Sequence, residues 1–122
     1  MGMKQILVML VAVMLVGCGK KADATEQFEL GMMCYKGGLV ARDTKKAVEF
    51  FRLAASQGLA DAQTSLGFYY ASGEKGEKDF KEAMGWFQKA ANQGDAVAQE
   101  SLSRLLVEHP ELANPNPPHK TP

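Results

Sequence analysis

The stretch Val48 to Gly58 reads VEFFRLAASQG, and 36 residues later Met84 to Gly94 reads MGWFQKAANQG. No other feature limits the fold of this chain so tightly. Residues 30–66 set against 66–102, with no gap, are identical at 16 of 37 pairs. Leu30, Leu66 and Leu102 coincide, as do Gly31 with Gly67, Asp43 with Asp79, Phe51 with Phe87 and Gly58 with Gly94. Self-similarity at such a period marks an array of supersecondary units, each burying an apolar face that it cannot bury alone.

Each unit reads as two helices. In the second helix, Ala83, Trp86-Phe87 and Ala90-Ala91 recur at three and four residues, the period of one helix face. Asp79 with Glu82 has the form of a capping box, and Asp43 stands at the same cap position without the Glu. Gly58 and Gly94 follow the last periodic residue, where a left-handed residue ends a helix. In the first helix Ala62, Leu66-Gly67 and Tyr70 keep helical spacing, and a polar, glycine-rich loop follows Gly73. The small residues let neighbouring helices approach, and the aromatics fill the wider gaps. The expected repeat core is therefore Leu30, Gly31, Cys34, Phe50, Phe51, Leu66, Gly67, Tyr70, Trp86, Phe87 and Leu102.

This pattern resembles the Sel1-like repeat, a relative of the tetratricopeptide repeat. The family's line runs Ala-x-x-x-Leu-Gly-x-x-Tyr-x-x-Gly, then a loop ending in Asp, then Lys-Ala-x-x-Trp-Tyr/Phe-x-x-Ala-Ala-x-x-Gly. Residues 62–94 follow it nearly throughout. Residues 26–58 depart at Cys34, where the family has Tyr, and at Phe50, where it has Trp. A third start, residues 98–107, puts Ser103 where the Gly belongs and reaches no second helix. The resemblance implies an all-α fold: a short right-handed α-solenoid of about two and a half hairpins, five helices, over residues 26–107. The last helix is expected at about Asp95 to Val107. Residues 108–122 hold all five prolines and read as a disordered tail.

The N-terminus carries a different signal. After Lys4 comes an apolar run of eleven residues, Ile6 to Val16. It is too short to span a bilayer, which takes roughly 20 apolar residues. It fits the hydrophobic region of a secretory signal peptide over residues 1–17. Leu15-Val16-Gly17-Cys18 resembles the bacterial lipobox, in which the Cys thiol receives diacylglycerol and small neighbours admit the peptidase. That resemblance implies lipidation at Cys18, a tether over residues 18–25 and anchorage in a membrane by more than one acyl chain. Gly19 stands where an Asp would retain such a lipoprotein at the inner membrane. The expected location is the periplasmic face of the outer membrane. Once Cys18 is acylated only Cys34 is left, so no internal disulfide can form.

Composition and motifs narrow the function by exclusion. The 14 basic and 14 acidic residues balance, and no basic run is longer than the two residues of Lys20-Lys21, so no footprint for nucleic acid exists. The sequence has no zinc-protease His pair, no nucleophile elbow and no phosphate-binding glycine loop. No metal or cofactor is expected. His109 and His119 read as solvated residues in or beside the tail, and Cys34 as a small buried hydrophobe.

Function is then expected on the first helix of each hairpin, which lines the concave face in tetratricopeptide-type folds. Carried over by position, that face holds Phe28, Met32, Tyr35 and Lys36, then Phe68 and Ser72, and finally Arg104. Phe28, Met32 and Tyr35 share one helical stripe that the repeat core does not require. The expected role is capture of a partner protein or peptide there by a lipid-anchored envelope module that is not an enzyme. Two alternatives stand beside it. One is an immunity protein against a secreted effector such as a phospholipase, by analogy with small lipoproteins of similar repeats. The other is an enzyme acting on cell-wall material or β-lactams, for which the sequence offers no convergent set of groups.

Overall fold

The computed structural model of the chain describes residues 22–38, 41–73 and 79–114. The leader, Cys18, most of the tether and the end of the tail lie outside the described residues. Five α-helices follow one another: α1 Ala24–Lys36, α2 Thr44–Ser56, α3 Ala60–Ser72, α4 Phe80–Asn92 and α5 Ala96–Glu108. A 3-10 turn, Pro110–Ala113, comes last. Among the described residues there is no strand.

Aspartates start four of the helices. Asp43, Asp79 and Asp95 each accept a hydrogen bond from a backbone N–H in the first turn, of Lys46 at 3.0 Å, Glu82 at 3.0 Å and Ala98 at 2.8 Å. The full capping box is at α1: Glu26 N–H donates to Asp23 at 2.9 Å, and Asp23 N–H donates to the Glu26 carboxylate at 3.1 Å. The first helix thus begins inside the stretch expected to be tether. At α4 the expected box is only half made. The Glu82 carboxylate accepts from the Trp86 indole N–H at 3.1 Å, while Asp79 N–H donates to the Tyr70 carbonyl at 2.9 Å. α2 and α4 end alike, on Gly58 with φ +93° and Gly94 with φ +90°. The next residues, Leu59 and Asp95, donate back to the carbonyls of Ala54 and Ala90, both at 3.2 Å. Only a residue at ease with positive φ can occupy that bend.

The packing divides into two compact units, residues 1–63 and 64–122, with α3 running through the division. In the first unit α1 lies on α2 around buried Met33, Cys34, Ala47, Val48, Phe51, Ala54 and Ala55. Gln63, itself buried, donates to the Ala55 carbonyl at 3.1 Å and so satisfies a polar group inside the packing. In the second unit the core is Leu66, Tyr70, Ala83, Phe87, Ala90, Ala98 and Leu105.

One contact is made twice. Gly31 lies under the Phe51 ring and Gly67 under the Phe87 ring. A Cβ on Gly31 would come within 2.7 Å of two ring carbons, and on Gly67 within 2.5 Å of two. The missing side chain is what lets each aromatic settle on the neighbouring helix. In α5 the matching position is Ser103, exposed, with its hydroxyl donating to the Gln99 carbonyl at 2.9 Å.

Four of the expected core residues are only half-buried: Leu30, Phe50, Trp86 and Leu102. Trp86 turns its indole N–H to Glu82 and carries the Lys89 ammonium at 4.5 Å from its ring centroid. Leu102 belongs to α5, after which no second helix of that hairpin follows among the described residues. Met33 and Leu105 join the core instead. The tail also departs from expectation. Pro110 stands at the start of the 3-10 turn, where its fixed φ and missing N–H cost nothing. The helix before it reaches Glu108 rather than Val107.

Candidate functional site

The residues expected on the concave face fall in both units, and each unit uses them differently. In the first, Phe28 and Tyr35 turn toward Phe51, with ring centroids 5.5 Å and 6.4 Å away. Both are half-buried, and so is Met32; Lys36 is exposed in the last turn of α1. The Arg42 guanidinium lies 5.4 Å from the Tyr35 ring centroid. The Phe28–Tyr35 stripe therefore supports the core, contrary to the expectation that the core does not require it.

In the second unit Phe68 and Arg104 line one cleft of about 240 Å³. Phe68, 48 % exposed, is the largest exposed apolar side chain among the described residues, and its ring stands edge-on to buried Phe87 at 5.2 Å. Ala71 and Leu105 add apolar wall, and Ser101, Glu108 and His109 polar rim. Phe80 closes one end. Its ring is stacked on the His109 imidazole, with centroids 3.9 Å apart and planes 28° from parallel. His109 Nδ1 lies 3.1 Å from the Glu111 carboxylate, and His109 N–H donates to the Leu105 carbonyl at 2.8 Å. His109, expected as a solvated residue, is thus a structural part of the rim. Arg104 reaches back one turn to Glu100 at 2.9 Å. Ser72 stands apart from the cleft, and its hydroxyl donates to the Tyr69 carbonyl at 2.9 Å.

Phe80, Glu108 and His109 were not legible as site residues. Phe80 aligns with Thr44, so the repeat gives it no assigned place, and the other two follow the last repeat position. Pro110 as a helix-start signal was the available clue.

Among the described residues no three His, Cys, Asp or Glu side chains gather as metal ligands would. Nor do any of their helices have the length and apolar character to cross a membrane. Cys34 is a free, buried thiol. Burial pushes its pKa up, the Lys46 ammonium pulls it down, and the Asp43 carboxylate adds to the rise. The result is a poor nucleophile.

Comparison with known proteins agrees with this architecture. The Sel1 repeat model matches residues 27–59 and 60–95. A Sel1 repeat protein of Oxalobacter formigenes is similar in structure, with 31 % identity and a TM-score of 0.69; the match covers 82 % of this chain and 73 % of that one. A protective antigen present in uropathogenic Escherichia coli strains, displaying an SLR fold, is 35 % identical with a TM-score of 0.67. There the match covers 71 % of this chain and 19 % of the antigen. No curated protein matches in sequence.

Proposed function

Because the chain belongs to the Sel1-repeat family, we propose that it is a lipid-anchored interaction module of the bacterial envelope that takes a partner protein or peptide in the cleft of its second unit. Sel1 repeats are typically non-catalytic scaffolds for protein–protein interaction. The observation that carries the site is Phe68. A large aromatic left half-exposed beside a packed one is the kind of anchor around which interfaces concentrate their energy. Its neighbours supply both apolar wall and polar rim, the mixture expected of a recognition pocket.

Anchorage rests on the sequence alone: the apolar run Ile6 to Val16 and the lipobox-like Leu15-Val16-Gly17-Cys18. The domain would then face the periplasm from the outer membrane on a short tether. Replacing Cys18 by Ser should release the protein from the membrane fraction, and unchanged fractionation would refute lipidation there.

Affinity capture from solubilised envelope tests the binding. Phe68→Ala and Phe68→Ser should each lose the same partner that the parent chain retains. Recovery of that partner at parental yield by both variants would place the binding surface elsewhere. Phe28→Ala and Tyr35→Ala serve poorly as probes, because they remove support from Phe51.

A further inference from the structure

The geometry points to a cationic side chain, lysine or arginine, of a partner polypeptide as the occupant of the second unit's cleft. This rests on the interaction reading above and names the chemistry it lacks. Three phenyl rings line the cleft, Phe68, Phe80 and Phe87. A ring face attracts a cation within about 6 Å of its centroid. Elsewhere in the molecule such faces already have cations of the chain's own: Arg42 on Tyr35 and Lys89 on Trp86. Phe68, more open than either, carries none among the described residues.

The charges around the cleft agree. Arg104, its one basic lining side chain besides the imidazole, is tied to Glu100 at 2.9 Å. The Glu111 carboxylate is engaged by His109. Glu108 has no ion pair among the described residues and lines the cleft. It stands in the last turn of α5, which holds no basic residue. The carbonyl end of a helix carries about half a negative charge and favours cations. An unpaired carboxylate, a helix C-terminus and an open phenyl face thus meet at one place. An acidic ligand would have to draw Arg104 from Glu100 while facing the Glu108 carboxylate, and a purely apolar one would leave Glu108 desolvated without a partner.

Two matched probes separate charge from shape: the peptide acetyl-Ala-Leu-Arg-Leu-Ala-amide and the same peptide with citrulline, the neutral isostere, in place of arginine. Each is titrated into the nitrogen-15-labelled chain while amide resonances are followed. The arginine peptide should shift resonances around Phe68, Leu105 and Glu108, and bind about three- to fivefold more tightly than the citrulline peptide. Glu108→Gln should remove that preference while leaving the spectrum otherwise folded. Equal affinity for the two peptides, or a preference that survives Glu108→Gln, overturns the inference. Phe68→Leu keeps an apolar group against Phe87 and should weaken the arginine peptide alone. If the peptides fail while envelope capture still depends on Phe68, the cation inference falls and the interaction reading stands. If the arginine preference holds while capture is indifferent to Phe68, the reverse is true.

Discussion

The two complete hairpins share a register and spend their aromatics differently. In both, a glycine on the first helix receives a phenyl ring from the second, Gly31 under Phe51 and Gly67 under Phe87. Around that common contact the first hairpin places Cys34 and braces Phe51 with Phe28 and Tyr35. The second places buried Tyr70 at the position of Cys34, and Phe68 stands edge-on to Phe87. The bracing aromatics stand at different register positions: Phe28 and Tyr35 align with Thr64 and Ala71, and Phe68 aligns with Met32. The first hairpin therefore surrounds its central ring with two half-buried rings, and the second leaves one ring exposed beside it.

The most severe way to break this comparison is to remove the two central rings. Truncating a large buried aromatic costs about 3–5 kcal/mol. Phe51→Ala should lie at the upper end and exceed Phe87→Ala by about 1 kcal/mol, since two further rings lose their partner rather than one. Urea unfolding of both variants measures this, and equal losses would mean that Phe28 and Tyr35 contribute no support.

A smaller change sharpens it. Gly67→Ala and Gly31→Ala would each gain up to about 1 kcal/mol of helix propensity if the added methyl met no obstacle. Here each methyl meets a ring. Overpacking of this sort costs about 1–3 kcal/mol, and Gly67→Ala should be the worse, at 2.5 Å against 2.7 Å. A rise in the unfolding midpoint of either variant would show that its ring can move aside.

The smallest effect concerns the residue at which the hairpins diverge. The folded-state pKa of Cys34 is raised, chiefly by burial. As pH rises the unfolded thiol loses its proton first, so the stability it contributes is present below the ordinary thiol range and lost as pH climbs toward the raised folded value. The urea midpoint of the parent chain should therefore fall in that window more than that of Cys34→Ala. Parallel pH curves would remove Cys34 from the account.

Much of this architecture was legible in the sequence. The period gave the helices, Asp43 and Asp79 gave their starts, and Gly58 and Gly94 their ends, because these are backbone requirements that only a few residue types meet. The close approach at Gly31 and Gly67 was legible for the same reason. Direction and reach were not. Position on a helix says which sector Phe28 and Tyr35 occupy, but not that their rings turn far enough to meet Phe51. His109 was hidden by its proline-rich surroundings, where Pro110 begins a turn and holds the imidazole against Phe80. A third of the cleft lining, Phe80, Glu108 and His109, thus comes from residues to which the repeat assigns no task.

Ser103 has a consequence for growth. Chains of this kind lengthen by duplicating a hairpin, and each new second helix must lay its phenyl ring on a bare backbone position. On α5 that position carries a hydroxymethyl group, already engaged with the Gln99 carbonyl. A second helix placed after α5 would find its landing place occupied. At that position one side chain works through exclusion rather than attraction.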